Sequence, residues 1–327
     1  METVGMVGPG KIGLPICENL IKSGYRVLGF RRSSLADFEK IGGVPARSPA
    51  DIGAQADIVF SCLPSSQALE EVVNGPAGPL KPVRPGLIES AHPGQIIVEL
   101  GSHPVPQKER HVAPFAAKGA VFLDGEVSGT PGMVAARKAV IYLAGDKEAC
   151  AKAERVVAGF ADSCLYFGAF GAASRVKLVN NLLVAIHIAA AAEAMALGLK
   201  AGVDVELMIK AIATGSGGST QFGIRAPWMA QRRFLPPQGT VPALQHYFPM
   251  IADFASNVGV ATPMLDRAAE LYEKFVQMGF AEKDVAAMVD VIGARRARRV
   301  SSSGEWNQQP QARCAPSPLV GEGWGGG

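Results

Sequence analysis

Val4-Gly5-Met6-Val7-Gly8-Pro9-Gly10-Lys11-Ile12-Gly13 is the stretch on which the fold turns. The apolar run 4–7 reads as a buried strand and the three glycines as a tight turn. The amphipathic pattern 14–23, closed by Gly24, reads as a helix. A second apolar run, 26–30, brings the chain back and completes a strand–helix–strand unit. Glycines so placed let backbone approach a pyrophosphate, while the free N–H groups of the helix N-terminus face its charge. Gly8, Pro9, Gly10, Lys11, Ile12 and Gly13 therefore predict a dinucleotide site.

Working outward, apolar runs at 58–63, 95–100, 121–123 and 139–143 alternate with amphipathic segments and Gly/Pro turns. Alternation of this kind predicts an α/β, Rossmann-type, doubly wound parallel sheet over residues 1–168. Strand signals nearly vanish from 169 to 296, where long helical patterns predict an all-α C-terminal domain. Residues 297–327 carry six glycines, three prolines and a serine run. They cannot bury enough apolar surface to offset ordering entropy, which predicts a disordered tail.

Composition excludes several classes. Thirty-two basic against 29 acidic side chains leave a net charge of +3, too little excess for a nucleic-acid partner. The arginine cluster at 295–299 reads as a solvated helix end. The apolar run 182–199 is alanine-rich and contains His187 and Glu193, so it predicts a core helix and no membrane partner. Five dispersed cysteines without a CxxC exclude a disulfide framework and a structural zinc, and no metal site is expected. With no secretory pattern at the N-terminus, the expected location is the cytoplasm.

The residues after the second strand select the cofactor. An acidic group about 20 residues past the glycines would bind the adenosine ribose. Here Arg31, Arg32 and Ser33 stand in that place, and guanidinium groups match phosphate oxygens. NADP(H) is expected, with NAD(H) as the alternative. Farther on, Lys177 and Asn181 lie four apart on a helical pattern, with Ser174 on the same face. A partly desolvated lysine beside an amide can exchange protons near neutral pH. Spacing alone leaves a surface lysine with a capping serine as the alternative.

Four segments, in order, resemble the β-hydroxyacid dehydrogenase family over about residues 2–290. They are the Gly-x-Gly-x-x-Gly-x-Pro followed by Glu18-Asn19-Leu20, the loop Cys62-Leu63-Pro64-Ser65, the segment Asp124-Gly125-Glu126-Val127-Ser128-Gly129, and the segment from Gly168 to Asn181. The resemblance implies an NAD(P)-dependent enzyme that interconverts a short 3-hydroxyacid and its semialdehyde. Lys177 would be the general acid/base and Asn181 its supporting amide. Ser102, Ser128, Gly129 and Thr130 would bind substrate. Leu63, Pro64, Ser65, Ser102 and His246 would join the glycine loop around the cofactor. The substrate would be a small carboxylate-bearing aldehyde or hydroxyacid, and the chain would form a homodimer or homotetramer.

Departures from the family pattern are specific. Glu99-Leu100-Gly101-Ser102 stands where Asp-x-Ser-Thr is usual. Glu126 replaces a proline, Thr130 a glycine, and His246-Tyr247 a Lys-Asp pair. Imine or other carbonyl reductases of the same architecture, decarboxylating 6-phosphogluconate dehydrogenases and a non-catalytic NADP-binding protein are the alternatives. Lys177 argues against imine reductases, which usually replace that lysine, and Lys177 with Asn181 against lost chemistry. Asn180-Asn181, where 6-phosphogluconate dehydrogenases carry a His-Asn pair, argues against those. His92, His103 and His111 read as surface groups among loops, and His187 as a core histidine.

Overall fold

The alternation read from the sequence builds eight strands: β1 (Thr3–Val7), β2 (Arg26–Phe30), β3 (Val44–Pro45), β4 (Ile58–Ser61), β5 (Ile96–Glu99), β6 (Val121–Ser128), β7 (Val140–Ala144) and β8 (Ser163–Tyr166). The structure is a computed structural model describing residues 1–75 and 84–294. The basic cluster at 295–299 and the tail at 297–327 lie outside the described residues. Residues Met1–Ala294 pack as one compact unit.

The sheet order is β3-β2-β1-β4-β5-β6-β7-β8. β1 has β2 on one side and β4 on the other, all parallel, so the winding direction reverses between β1 and β4. Ligands of open α/β sheets bind at the carboxyl ends of strands flanking such a reversal. Gly8 follows β1 and Cys62 follows β4, which places the glycine loop at that point. Alternate residues feed two cores. Met6, Phe60 and Val98 face one, while Val7, Val59 and Ile97 face the other.

Three features differ from the pattern read in the sequence. β7 pairs antiparallel with β6, so the sheet is not wholly parallel. The connecting residues 129–139 fall short of the roughly dozen that a parallel crossover needs, and the chain turns back instead. β6 runs on to Ser128 rather than ending at 123, because buried Asp124 and Glu126 break its apolar pattern without breaking the ladder. The two-residue β3 and the half-exposed edge strand β8 carry too little apolar signal to be read.

Every described strand lies before Ala172. From there a helix of 30 residues, Ala172–Ala201, starts after Gly171 (φ +86) and ends at Gly202 (φ +70), both left-handed. Composition alone would let it cross a membrane. In the fold, its Ala185, Ala189, Ala192 and Ala196 admit close neighbours, and the helices packed against it include Thr220–Gln231, Tyr247–Asn257, Pro263–Gln277 and Met288–Gly293. The first turns of the long helix lie on β6 instead, which carries Lys177 to the end of that strand.

Candidate active site

A groove of about 860 Å³ opens over the carboxyl ends of β1 and β4. Gly8, Gly10, Lys11, Ile12 and Gly13 form one wall; Phe30, Arg31, Arg32, Ser33, Leu63 and Pro64 continue it. The glycines are required for different reasons. A Cβ on Gly8 would lie 2.4 Å from the Cys62 carbonyl oxygen, and one on Gly13 would lie 2.4 Å from that of Gly8. A Cβ on Gly10 would find no atom nearer than 3.9 Å, so its missing side chain leaves open space at the loop. That is the fit a dinucleotide needs, with two glycines closing the turn and one admitting the pyrophosphate.

The basic residues divide their work. Arg31 is committed within the loop: it donates to the Pro9 carbonyl at 2.6 Å, to the Ser34 carbonyl and to Asp37. Its guanidinium holds the Asp37 carboxyl below its usual value. Arg31 lines the groove as expected from its position, while its donors are engaged by the chain itself. Arg32 remains well exposed and reaches Glu71 at 3.1 Å. Arg84 lines the same groove, its guanidinium carbon 5.6 Å from the Phe30 ring centroid. Sequence reading missed it because it lies far along the chain, without a motif. Pro9 enters through its carbonyl. Ser65 caps the helix Ser66–Asn74, its hydroxyl accepting from the Ala68 N–H at 3.1 Å, rather than lining the groove.

Beyond the groove, three segments converge: the loop after β5, the end of β6, and the long helix. Lys177 is buried and donates to the Val127 carbonyl at 2.7 Å. Burial pulls its ammonium below the usual lysine value, partly offset by the Glu126 carboxylate. Asn181, one turn on, is buried and accepts from the Asn180 amide at 3.1 Å. Tyr247 donates to Ser102 Oγ at 3.1 Å and sets its ring 5.7 Å from Lys177 Nζ. Burial raises its phenol above the ordinary tyrosine value.

The other residues named from the sequence sit around this cluster. His246 is exposed, with Nε2 3.4 Å from the Ser102 carbonyl oxygen. Ser128 and Gly129 continue β6 past Val127 and are half-buried. Thr130 caps the helix Pro131–Ala135, its Oγ1 accepting from the Met133 N–H at 3.3 Å. Ser102, Lys177, Asn181 and Tyr247 are thus brought together. Tyr247 was legible only as a departure from the family pattern.

Under this cluster lies an ionic core that sequence reading did not find. Lys108 is fully buried and donates to Asp124 Oδ1 at 3.0 Å, Glu126 Oε1 at 3.2 Å and Ser174 Oγ at 3.1 Å. Burial alone would lower its ammonium, but Glu126, Asp124 and Glu99 outweigh that and raise it. Ser174 is part of this core rather than a surface cap. His103 and His111 are also buried, contrary to expectation. The short helices Val105–Glu109 and Val112–Ala116 draw them inward, His103 to 3.4 Å from Glu99 and His111 against the Phe122 ring. His92 is half-exposed and His187 half-buried. Among the described residues, no cluster of His, Cys, Asp and Glu is arranged to hold a metal ion.

Two family models match the chain in succession. The family model of the NAD-binding domain of 6-phosphogluconate dehydrogenase matches residues 3–168. That described as NAD-binding of NADP-dependent 3-hydroxyisobutyrate dehydrogenase matches 171–292. An L-threonate dehydrogenase of Cupriavidus necator is 30% identical over 89% of this chain and 96% of its own. The mitochondrial 3-hydroxyisobutyrate dehydrogenase of Rattus norvegicus is 30% identical over 88% of this chain and 86% of its own. A crystal structure of 3-hydroxyisobutyrate dehydrogenase from Salmonella typhimurium superposes with a TM-score of 0.77 at 22% identity, covering 89% of this chain and all of that one.

Proposed function

Because the chain belongs to the β-hydroxyacid dehydrogenase family, as an NAD(P)-dependent enzyme of the 3-hydroxyisobutyrate dehydrogenase type, we propose that it interconverts a short 3-hydroxyacid and its semialdehyde, with Lys177 as general acid/base. The observation that carries this reading is a buried lysine with one carbonyl acceptor, Val127 O at 2.7 Å, and with Asn181 and Tyr247 beside it. The nicotinamide cofactor supplies or receives the hydride at the substrate carbon. Lys177 gives a proton to the developing alkoxide during reduction and takes the hydroxyl proton during oxidation. Asn181 holds the substrate oxygen toward that lysine, and the Ser128 and Gly129 end of β6 receives the carboxylate.

The cofactor is NADP(H) in this proposal. Arg32, Ser33 and Arg84 line the groove beyond Phe30, without an acidic side chain directly after β2. Glu71 on the opposite wall, paired with Arg32, is the group a 2′-phosphate would displace. A second copy of the chain covers the apolar face of the long helix, where Val179, Leu183 and Leu197 are exposed, as expected of a homodimer or homotetramer.

The test is nicotinamide oxidation by purified protein with glyoxylate, succinic semialdehyde, methylmalonate semialdehyde and tartronate semialdehyde, each with NADPH and NADH. Turnover of one or more, lost by a factor of about 100 or more in Lys177→Ala, is the expected result. Turnover untouched in that variant, while the cofactor still binds, would remove Lys177 from the chemistry.

A further inference from the structure

The side chains that meet at the proposed site form a hydrogen-bond chain with one direction. Lys108 donates to Glu126 Oε1 at 3.2 Å. Glu126 Oε2 accepts from the Ser102 hydroxyl. An ionised carboxylate can only accept, so the single Ser102 proton is committed to Glu126. Ser102 Oγ must then accept where it meets Tyr247, and the phenol proton is committed to Ser102 at 3.1 Å. At the other end of the cluster, the Asn180 amide donates to the Asn181 carbonyl oxygen at 3.1 Å.

Every proton in this chain points toward Glu126. What Tyr247 offers a substrate is therefore its oxygen as an acceptor. The floor below strengthens that bias, since the Glu99, Asp124 and Glu126 carboxylates surround the one Lys108 ammonium. The Tyr247 ring lies 5.7 Å from Lys177 Nζ, the group that meets the substrate oxygen in the reading above.

Resting on the reading under Proposed function, we propose that Tyr247 is a substrate-binding residue that selects 3-hydroxyacids carrying a hydroxyl or ammonium on carbon 2 over those carrying a methyl group there. Glu126, acting through Ser102, is the positioning residue that keeps the phenol an acceptor. A methyl group at that place gives the phenol oxygen, whose own proton goes to Ser102, no donor to accept from. A site built to hydrogen-bond a substrate group rejects the analogue lacking it by about 10⁴–10⁵, whereas a size difference of one methylene gives only about 10–200.

Glycerate, serine and 3-hydroxyisobutyrate share the reacting carbon 3 and carry hydroxyl, ammonium and methyl on carbon 2. The experiment measures kcat/KM for these three with NADP+ in the wild type, Tyr247→Phe and Glu126→Gln. Glycerate or serine should exceed 3-hydroxyisobutyrate by more than about 10³, beyond what size supplies. Tyr247→Phe should compress that ratio at least tenfold. Glu126→Gln should compress it too, with cofactor affinity retained. Lys108 claims the new carbonyl oxygen, so the Gln amide N–H donates to Ser102 and reverses the chain, turning the phenol into a donor. Glu126→Asp should keep the ratio.

A wild type that prefers or equals its rate on 3-hydroxyisobutyrate overturns the inference while leaving the dehydrogenase reading intact. A preference that survives Tyr247→Phe unchanged overturns the role given to Tyr247. Silence on all three overturns the inference as well, and the semialdehyde panel then decides whether the dehydrogenase reading falls with it.

Discussion

Replacing Lys108 by methionine is the sharpest test of the ionic core. Methionine nearly matches the lysine stem in volume, so packing loss is minor and the deleted charge dominates. The Lys108 ammonium is fully buried, with acceptors at 3.0 Å on Asp124 and on the Gly125 carbonyl, 3.2 Å on Glu126 and 3.1 Å on Ser174. Removing one partner of a buried pair costs about 3–5 kcal/mol, because the other charge stays buried and uncompensated. At about 2–4 °C per kcal/mol for a chain above 150 residues, the melting point should fall by about 10 °C. The loss should also depend on pH. A buried carboxylate left without its counter-charge favours its protonated form. The folded variant then binds more protons than the unfolded chain, so its deficit is small at acidic pH and widens as pH rises. Urea unfolding followed by circular dichroism at pH 4.5, 6 and 7.5 measures it. A deficit under about 1 kcal/mol, or one equal at all three pH values, would refute an uncompensated buried charge.

Three other outcomes follow from the site. Burial depresses Lys177, so the reduction rate should fall as pH climbs through that lowered value while the oxidation rate rises; pH profiles of kcat in both directions check this, and flat profiles would speak against a titrating lysine. Gly8→Ala should cost about 1–3 kcal/mol in stability and at least tenfold in cofactor affinity, since its Cβ would lie 2.4 Å from the Cys62 carbonyl at φ +86; urea unfolding and cofactor fluorescence titration read the two losses. Arg32→Ala and Arg84→Ala should each raise the Kd for NADPH about tenfold, the worth of one charge-assisted contact, with little change for NADH; equal losses for both cofactors would deny them a 2′-phosphate.

Much of the architecture was legible where local pattern and tertiary role agree. The strand at Val4, the turn at Gly8 and the helix after Gly13 are consistent at every level, so the groove at the β1–β4 reversal could be read from ten residues. Lys177 and Asn181 were legible as a face of one helix, because the spacing of a helix is known before its partners are. β6 was not legible past Leu123. Its Asp124 and Glu126 look like the end of an apolar strand until Lys108 supplies the counter-charge, and that residue belongs to what reads as a polar loop. The same blindness moved His103 and His111 to the surface, since nothing local reveals that two short helices tuck under the sheet. Arg31 shows a different limit: the pattern puts it at the groove but does not reveal that the Pro9 and Ser34 carbonyls engage its donors.

The ionic core and the proposed chemistry are one construction because β6 belongs to both. Asp124 and Glu126 face Lys108, and the next residue, Val127, offers its carbonyl to Lys177 at 2.7 Å. Ser174, one turn before Lys177 on the long helix, donates to Asp124 at 2.6 Å, so the helix is fastened to the strand one turn before the lysine and at the lysine itself. A buried cluster of this kind is weak evidence for stability, since an apolar replacement can do as well. What an apolar replacement cannot do is fix direction: a carboxylate at Glu126 accepts the Ser102 proton, and Ser102 in turn accepts that of Tyr247. The charges thus make more physical sense as orientation than as adhesion. A proline at position 126, usual in the resembled family, could hold β6 in place but would leave Ser102 free to rotate and Tyr247 without a fixed polarity.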